Sequence, residues 1–390
     1  MKLPIEVSGS LWLDSGFAGG DGEHRWPWQG FCIAEDEPRK IWNSEEWRSA
    51  LSEIRRDIAA NPGKEGVPRW AALISYEAGR LIEPSVGVTP QADKDPVAWV
   101  WRYGTELKKL SAESSPLPSA KAWASPSSEE HEDRIEACRR RIGTGEIYQA
   151  NLSRRIHLDF GEAPNGLALT RTLQAREQHS YSAWLQVGDG MEIVSLTPEA
   201  LLRGKIGDDQ VSSFPIKGTA APGDDYLSTD PKERAEHTMI VDLVRNDLGR
   251  VAVHGSVYVE PLGGIREFRT LRHVESGVRA TLREGADVLD ALEALLPGGS
   301  ITGAPKIQAT RVIAELEQRA RGPYTGSLLT IDAAGNAVAS LLIRTMILRG
   351  SEGCLDVGGG IVWGSAPSRE VLETRRKALA HLEGMVSQIP

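Results

Sequence analysis

The sequence predicts a mixed α/β protein built of antiparallel layers. Strand-like runs follow one another without a helix between each pair, as in SLLTID, ASLLIRTMIL and CLDVGGGIV. Helical periodicity is confined to a few separate stretches. The composition, 40 % hydrophobic and 25 % charged over 390 residues, suits a globular chain with a sizeable core. A doubly wound parallel sheet needs a helix at each crossover, so consecutive strands favour antiparallel pairing.

The elements can be taken in order. Residues 1–110 hold short alternating runs, SGSLWLDSG and RWAALISYEAG, and most of the tryptophans. Such runs read as strands bounded by turns. The stretch SAESSPLPSAKAWASPSSEEHE, residues 111–132, is rich in Ser, Pro and Ala and reads as a linker. Residues 133–388 form the third region. It opens with a charged helix ending near Gly143 and a strand from Tyr148 to Leu158. HTMIVDLVRNDLGRVAV reads as helix then strand, with Met239, Ile240, Leu243 and Val244 at helical spacing. DVLDALEALLP is a helix ended by Pro297. SREVLETRRKALAHLEGMV is the last helix, with Val371, Leu372, Leu379, Leu382 and Met385 on its apolar side.

Bulk properties exclude several classes. No apolar run approaches the roughly 18 residues of a membrane span. Pro4 and Glu6 stand where a signal peptide is apolar, so a cytoplasmic protein without membrane contact is expected. Cys32, Cys138 and Cys354 are scattered and form no CxxC, which argues against a disulfide framework or a zinc site. The net charge of −9 argues against nucleic acid. A small anionic substrate stays open, because a metal ion or a few basic residues reverse the potential inside a cleft.

Four glycine-rich stretches stand out: PIKGT, PGGSITGAPK (297–306), GPYTGS (322–327) and VGGGIVWGS (357–365). Glycine lets backbone approach a ligand closely. Gly298 and Gly303 have phosphate-loop spacing, but Ala304 and Pro305 replace the required Lys and Ser/Thr. The Gly358–Gly360 run lacks GxGxxG, so neither nucleotide reading holds. Glu233 and Glu236, and Glu370 and Glu373, are i, i+3 pairs, with Lys377 four residues beyond Glu373. Each pair shares a helix face. Such carboxylates suit either a solvated surface or an oxygen-loving dication such as Mg²⁺.

Taken together, these stretches resemble the chorismate-binding enzyme family, and within it the aminodeoxychorismate-forming branch. The matching segments are GEIYQANLSRR, SLTPEALL, PIKGT, ERAEHTMIVDLVRNDLGRVA, HVES, PGGSITGAPK, GPYTGS, LLIRT, GGGIVWGS and ETRRKA, in family order. LWLDSG and ISYEAGRLIE match more faintly. The resemblance implies two antiparallel β-sheets packed as a sandwich, helices outside, and an active site in the cleft between them. Residues 1–110 then complete the sheets.

The resemblance also implies roles. Lys217 is the attacking amine; anthranilate synthases carry alanine there. Isochorismate and salicylate synthases carry a lysine where this chain has Gln149. Glu199 matches the general acid, although a glutamate after Pro198 reads by itself as a surface residue at a helix start. Glu236 and Glu373 match direct Mg²⁺ ligands, and Glu233 and Glu370 water-mediated ones. Arg344 and Tyr324 match the grip on a substrate carboxylate. The Gly358, Gly359 and Gly360 backbone and Lys377 assist, and Asn151, Thr219, Thr302 and His273 match further site positions. Ser15 of LWLDSG matches a tryptophan-binding position of some relatives, but the following FAGGDGEHRWPWQG departs from the pattern.

The expected reaction converts chorismate and ammonia to 4-amino-4-deoxychorismate. No cysteine lies in a G-x-C-x-G elbow, so a separate glutaminase subunit is the expected ammonia source. Anthranilate synthesis is the rival within the family. A non-catalytic chorismate sensor is the rival from another class.

Overall fold

In a computed structural model, the structure describes residues 7–14, 25–26, 29–87, 95–104, 108, 115–177, 179–220, 231–267 and 272–390. Alternation along the strands decides the layering. In Leu11–Asp14, Leu11 and Leu13 join one apolar cluster and Trp12 another. In Pro68–Ile74, Ala71 and Leu73 face one way, and Trp70, Ala72 and Ile74 the other. Successive side chains point to opposite faces, so a strand apolar at both parities is buried on both sides.

All strand pairs are antiparallel. One nine-stranded sheet runs Gly303–Ala304, Gln149–Asp159, Glu352–Ile361, Thr345–Arg349, Met191–Thr197, Tyr181–Gly188, Leu11–Asp14 and Gly30–Cys32. Lys121–Ser125 pairs with Gln149–Asp159 off this path. The second runs Tyr258–Val259, Val278–Thr281, Gln210–Phe214, Ala200–Lys205, Asn336–Leu341, Ser327–Asp332, Pro68–Ile74, Ala98–Arg102 and Arg39–Ile41. Leu11, Leu13, Tyr181 and Ile193 of the first sheet share a buried cluster with Leu73, Trp101, Leu328 and Val338 of the second. The sheets therefore pack face to face. Helices cover their outer faces: Gly166–Arg176 and Pro367–Leu382 on the first, Ser44–Ala60, Pro231–Gly249 and Val288–Leu295 on the second. This is the expected sandwich. No helix among the described residues is long and apolar enough to cross a membrane.

A third sheet of three strands, Ile216–Ala220, Arg272–Glu275 and Gly264–Glu267, carries Lys217. Lys217 pairs with Val274, and Thr219 with His273.

Several elements differ from the sequence reading. The stretch 111–132 contains the strand Lys121–Ser125 and the start of the helix Ser128–Gly143. Ser127 caps that helix in a capping box with Glu130, a start signal inside the supposed linker. ASLLIRTMIL divides into two strands, because Arg344 takes a left-handed φ of 51° between them. VAV, expected as a strand, contributes only an isolated bridge from Ala252 to Leu282. The last helix ends at Leu382, before Met385; on it Val371 and Leu382 are buried but Leu372 and Leu379 are exposed, since the apolar stripe is narrower than the sequence suggested. Among the described residues, the helices Ser44–Ala60, Gly79–Ile82, Gly166–Arg176 and Lys306–Glu317 went unread.

Close backbone approach seats the PGGSITGAPK loop. Gly303 pairs with Ala150, and a Cβ on Gly303 would stand 2.1 Å from the Gln149 carbonyl oxygen. Gly303→Ala must push this loop off the Gln149–Asp159 strand. We expect a loss of about 1–3 kcal/mol in urea denaturation, the usual cost of overpacking.

Candidate active site

The site is built over a floor without side chains. Gly358, Gly359 and Gly360 pair with Ser153, Leu152 and Asn151. A Cβ on Gly358 would lie 2.9 Å from Asn151 Oδ1. On Gly359 it would lie 3.3 Å from Glu370 Oε2 and 3.9 Å from Glu373 Oε1. On Gly360 it would lie 3.0 Å from Gln149 Nε2 and 3.5 Å from Lys217 Nζ. Pairing of this strand with Thr345–Arg349 stops at Leu355. From Asp356 onward that edge has no strand partner among the described residues, so its N–H groups are placed to serve a ligand.

Lys217 reaches this floor from the three-stranded sheet. Its Nζ lies 2.8 Å from Glu236 Oε2, with side chains 22 % and 10 % exposed. Glu236 comes from the helix Pro231–Gly249. His237 beside it ties that helix to the small sheet: His237 Nε2 lies 2.6 Å from Ser276 Oγ, which accepts from the Gly263 N–H at 2.8 Å. Burial and the nearby Lys217 hold the His237 pKa down at about 4, so this ring is neutral. Lys377 bonds Glu373 Oε1 at 2.7 Å and the Gly358 carbonyl at 2.8 Å.

Glu199 is no surface residue at a helix start. It sits between the strands Met191–Thr197 and Ala200–Lys205, and is buried. Ser300 Oγ donates to it at 2.9 Å. Burial pushes its pKa up to about 8; the Ser300 hydroxyl and the Ile216 N–H oppose this, and Glu275 adds to it. Glu199 is therefore a proton donor at neutral pH, one residue away from Lys217 in its contacts.

Arg344 is buried to 17 % side-chain exposure. Its Nη1 has no hydrogen-bond acceptor among the described residues. His273 donates from Nδ1 to the Gly218 carbonyl at 3.1 Å, since a carbonyl only accepts. Burial and Arg344 lower its pKa to about 3, leaving a neutral ring with its lone pair on Nε2. The Thr302 hydroxyl donates to the Gly298 carbonyl at 2.9 Å, within its own loop. Asn151 Nδ2 donates to the Ser300 carbonyl at 3.4 Å.

Tyr324 is buried, and burial raises its pKa. Its ring lies 5.9 Å from the Arg321 guanidinium. Arg321 joins three site segments. It donates to the Ile301 carbonyl at 3.0 Å, the Asn151 carbonyl at 2.6 Å and Thr325 Oγ1 at 3.4 Å, while Glu317 balances its charge.

The structure thus gathers Lys217, Glu236, Glu370, Glu373, Lys377 and Gly358–Gly360 at one floor. It links Glu199 to Lys217 through Ile216, and Asn151 and Thr302 to the Ser300 loop. Ser15 and the side chains of Thr219 and Glu233 lie outside the described residues. Sequence reasoning missed Ser300, Arg321 and His237. Only position signalled them: Ser300 and His237 stand within motifs already quoted, and Arg321 immediately before one.

No group of three or more His, Cys, Asp or Glu is gathered as a metal site among the described residues. The donor chemistry nonetheless suits a hard dication. Glu370 and Glu373 flank Gly359, and Glu236 stands across Gly360 through Lys217.

A model of the chorismate binding enzyme family matches residues 21–383. The chain belongs to the chorismate-binding enzyme family. It is 41 % identical over 260 residues to anthranilate synthase component 1 of Methanothermobacter thermautotrophicus, covering 64 % of this chain and 55 % of that protein. It is 34 % identical over 288 residues to aminodeoxychorismate synthase component 1 of Bacillus subtilis, covering 71 % and 60 %. The chain therefore spans little more than half the length of these curated relatives. Among solved structures, anthranilate synthase component I from Streptococcus pneumoniae superposes with a TM-score of 0.74 at 26 % identity, covering 85 % of each chain. The menaquinone-specific isochorismate synthase of Escherichia coli shares the fold, with a TM-score of 0.74 at 17 % identity over 97 % of this chain and 89 % of that one.

The raised pKa of Glu199 links stability to pH. The folded state holds this proton up to about pH 8, whereas an unfolded glutamate releases it near 4.3. Its contribution is full below the unfolded value and is lost as pH rises through the folded one. Glu199→Gln should therefore melt with the parent at pH 4 and above it at pH 9, read by differential scanning calorimetry.

Proposed function

We propose that this protein converts chorismate and ammonia to 4-amino-4-deoxychorismate and water. The observation that carries the reading is Lys217. Its amine lies 2.8 Å from Glu236 and beside Gly360, with the side chain 22 % exposed. The family resemblance implies alanine at that position in anthranilate-forming members. A lysine there supplies a nucleophile that alanine cannot.

In this scheme Arg344 and Tyr324 hold one substrate carboxylate, and the unpaired edge beyond Asp356 holds the other. The Lys217 amine adds at C2, and the C4 hydroxyl leaves as water with the proton of Glu199. Ammonia then adds at C4, the C2–N bond breaks, and Lys217 departs. Two easier displacements replace one hard one. Glu199 suits its part, because at about 8 its pKa keeps the proton available at neutral pH. Lys217 must be neutral to attack, so its ion pair with Glu236 has to give way.

Glu236 and Glu373, with Glu233 and Glu370 through water, would hold Mg²⁺, which supplies charge to bind the ring carboxylate and polarise the ring. Glu236 and Glu373 each contact a lysine in the structure, so holding the dication would mean giving up those ammonium partners. The "component 1" names of the relatives support a partner, which we take to be a glutaminase that delivers ammonia.

A second reading is anthranilate synthesis. It is favoured by similar relatives named anthranilate synthase component 1. Mass spectrometry of the product from chorismate, Mg²⁺ and ammonium separates the two. The amino-deoxy compound is expected, and anthranilate at a comparable rate would overturn the reading.

Two further outcomes follow. Lys217→Ala should lower kcat by about 10²–10⁴-fold or divert the product, the span of a lost catalytic group; unchanged kinetics refute the nucleophile. The pH profile of kcat/KM should fall as pH rises through about 8, where Glu199 loses its proton.

A further inference from the structure

Arg344 has a carboxylate beside it, in ion-pair range and yet not hydrogen-bonded to it. The nearest carboxylate oxygen, Glu177 Oε2, stands 3.9 Å from Nη1, beyond hydrogen-bond reach. Burial depresses the Arg344 pKa, and Glu177 is the charge that opposes this. The rings around it are neutral: burial and the Arg344 charge lower the pKa values of His179, His273 and His381. A half-buried carboxylate this close to a buried guanidinium ordinarily closes into a fork-to-fork pair.

His179 accounts for the gap. Its Nε2 lies 3.2 Å from Glu177 Oε2, and the neutral ring donates to the carboxylate. His179 cannot follow the carboxylate toward Arg344. It is 2 % exposed, and Gln174 clamps its backbone from both sides, at 3.2 Å to the carbonyl and 3.2 Å from the N–H. Ser182 Oγ holds Gln174 in turn at 2.5 Å. Glu177 itself is anchored where the helix Gly166–Arg176 ends, its N–H bonding the Leu173 carbonyl at 3.0 Å.

We propose that His179 is a latch that draws the Glu177 carboxylate off Arg344, so that the guanidinium is kept for the carboxylate of an incoming ligand. This rests on the reading of Arg344 as the grip on a substrate carboxylate. His179 and Glu177 are positioning residues, and neither touches the ligand. The internal and the incoming carboxylate compete for one cation, so the latch sets ligand affinity rather than the chemical step.

The test measures the Kd of chorismate by calorimetry, with kcat and KM in ammonium, and thermal melts to establish folding. Glu177→Gln removes the competitor and should tighten binding about threefold to tenfold; His179→Phe releases Glu177 and should weaken it about tenfold with kcat changed less than about threefold. Glu177→Gln with His179→Phe should restore parental affinity or better, and His179→Gln, which keeps a donor, should stay near the parent. The latch is overturned if Glu177→Gln weakens binding, or if His179→Phe weakens it equally with and without Glu177. Should His179→Phe not fold, Glu177→Gln and His179→Gln decide. Arg344→Ala separates the two levels: a large loss of affinity upholds the grip whatever the latch does, and an unchanged Kd refutes both.

Discussion

Lys217 Nζ and the Glu236 carboxylate meet at 2.8 Å over a floor that has no side chains. A methyl group on Gly360 would lie 3.5 Å from the amine, in ordinary contact, and 3.0 Å from Gln149 Nε2, which would have to shift. Glycines weaken a strand, having nothing to pack and more entropy to lose. Here ten consecutive register pairs with Gln149–Asp159 hold the strand in place. The weakness is thus absorbed by an extended ladder, and the space it opens goes to two helices and a flap strand that bring the charges.

Around that floor the charges are arranged by burial. One acid, Glu199, is pushed up to about 8 and kept protonated. One guanidinium, Arg344, is buried without a close acceptor on Nη1. His237 and His273 are kept neutral beside Lys217 and Arg344, because a second positive charge in a low-dielectric cleft is unfavourable. A dianionic substrate would find the acid protonated and the guanidinium charged, whereas the amine becomes reactive only once its ion pair with Glu236 gives way. Arg321 holds the surrounding backbone: its fork bonds the carbonyls of Ile301 and Asn151, so two loops and a strand share one anchor. Glu317 makes that buried cation tolerable, its own pKa held down to about 2 mainly by Arg321 against the cost of burial.

Much of this was legible in the sequence. Consecutive strand runs without a helix between them, the helices ended by Gly143 and Pro297, and the glycine stretches in family order pointed to antiparallel layers and to the cleft. Lys217, Glu199 and Arg344 were named from motifs. What was not legible follows from long range. The helix Lys306–Glu317 begins after Pro305, where the glycine loop drew attention to a ligand instead of a helix start. Ser300, Arg321 and Glu177 are single polar residues with no periodic signal, and their roles depend on partners about 100, 170 and 167 positions away.

The residue types and their local spacing determined which chemistry is present: an amine, several carboxylates, a guanidinium and backbone able to approach them. Tertiary structure alone decided which of these are buried, paired or protonated. A pKa and an ion pair depend on the distance to groups contributed by other strands and helices, and no short stretch of chain contains that distance. Glu199 reads as a surface residue until the Ile216 strand and the Ser300 loop close over it and take its water away.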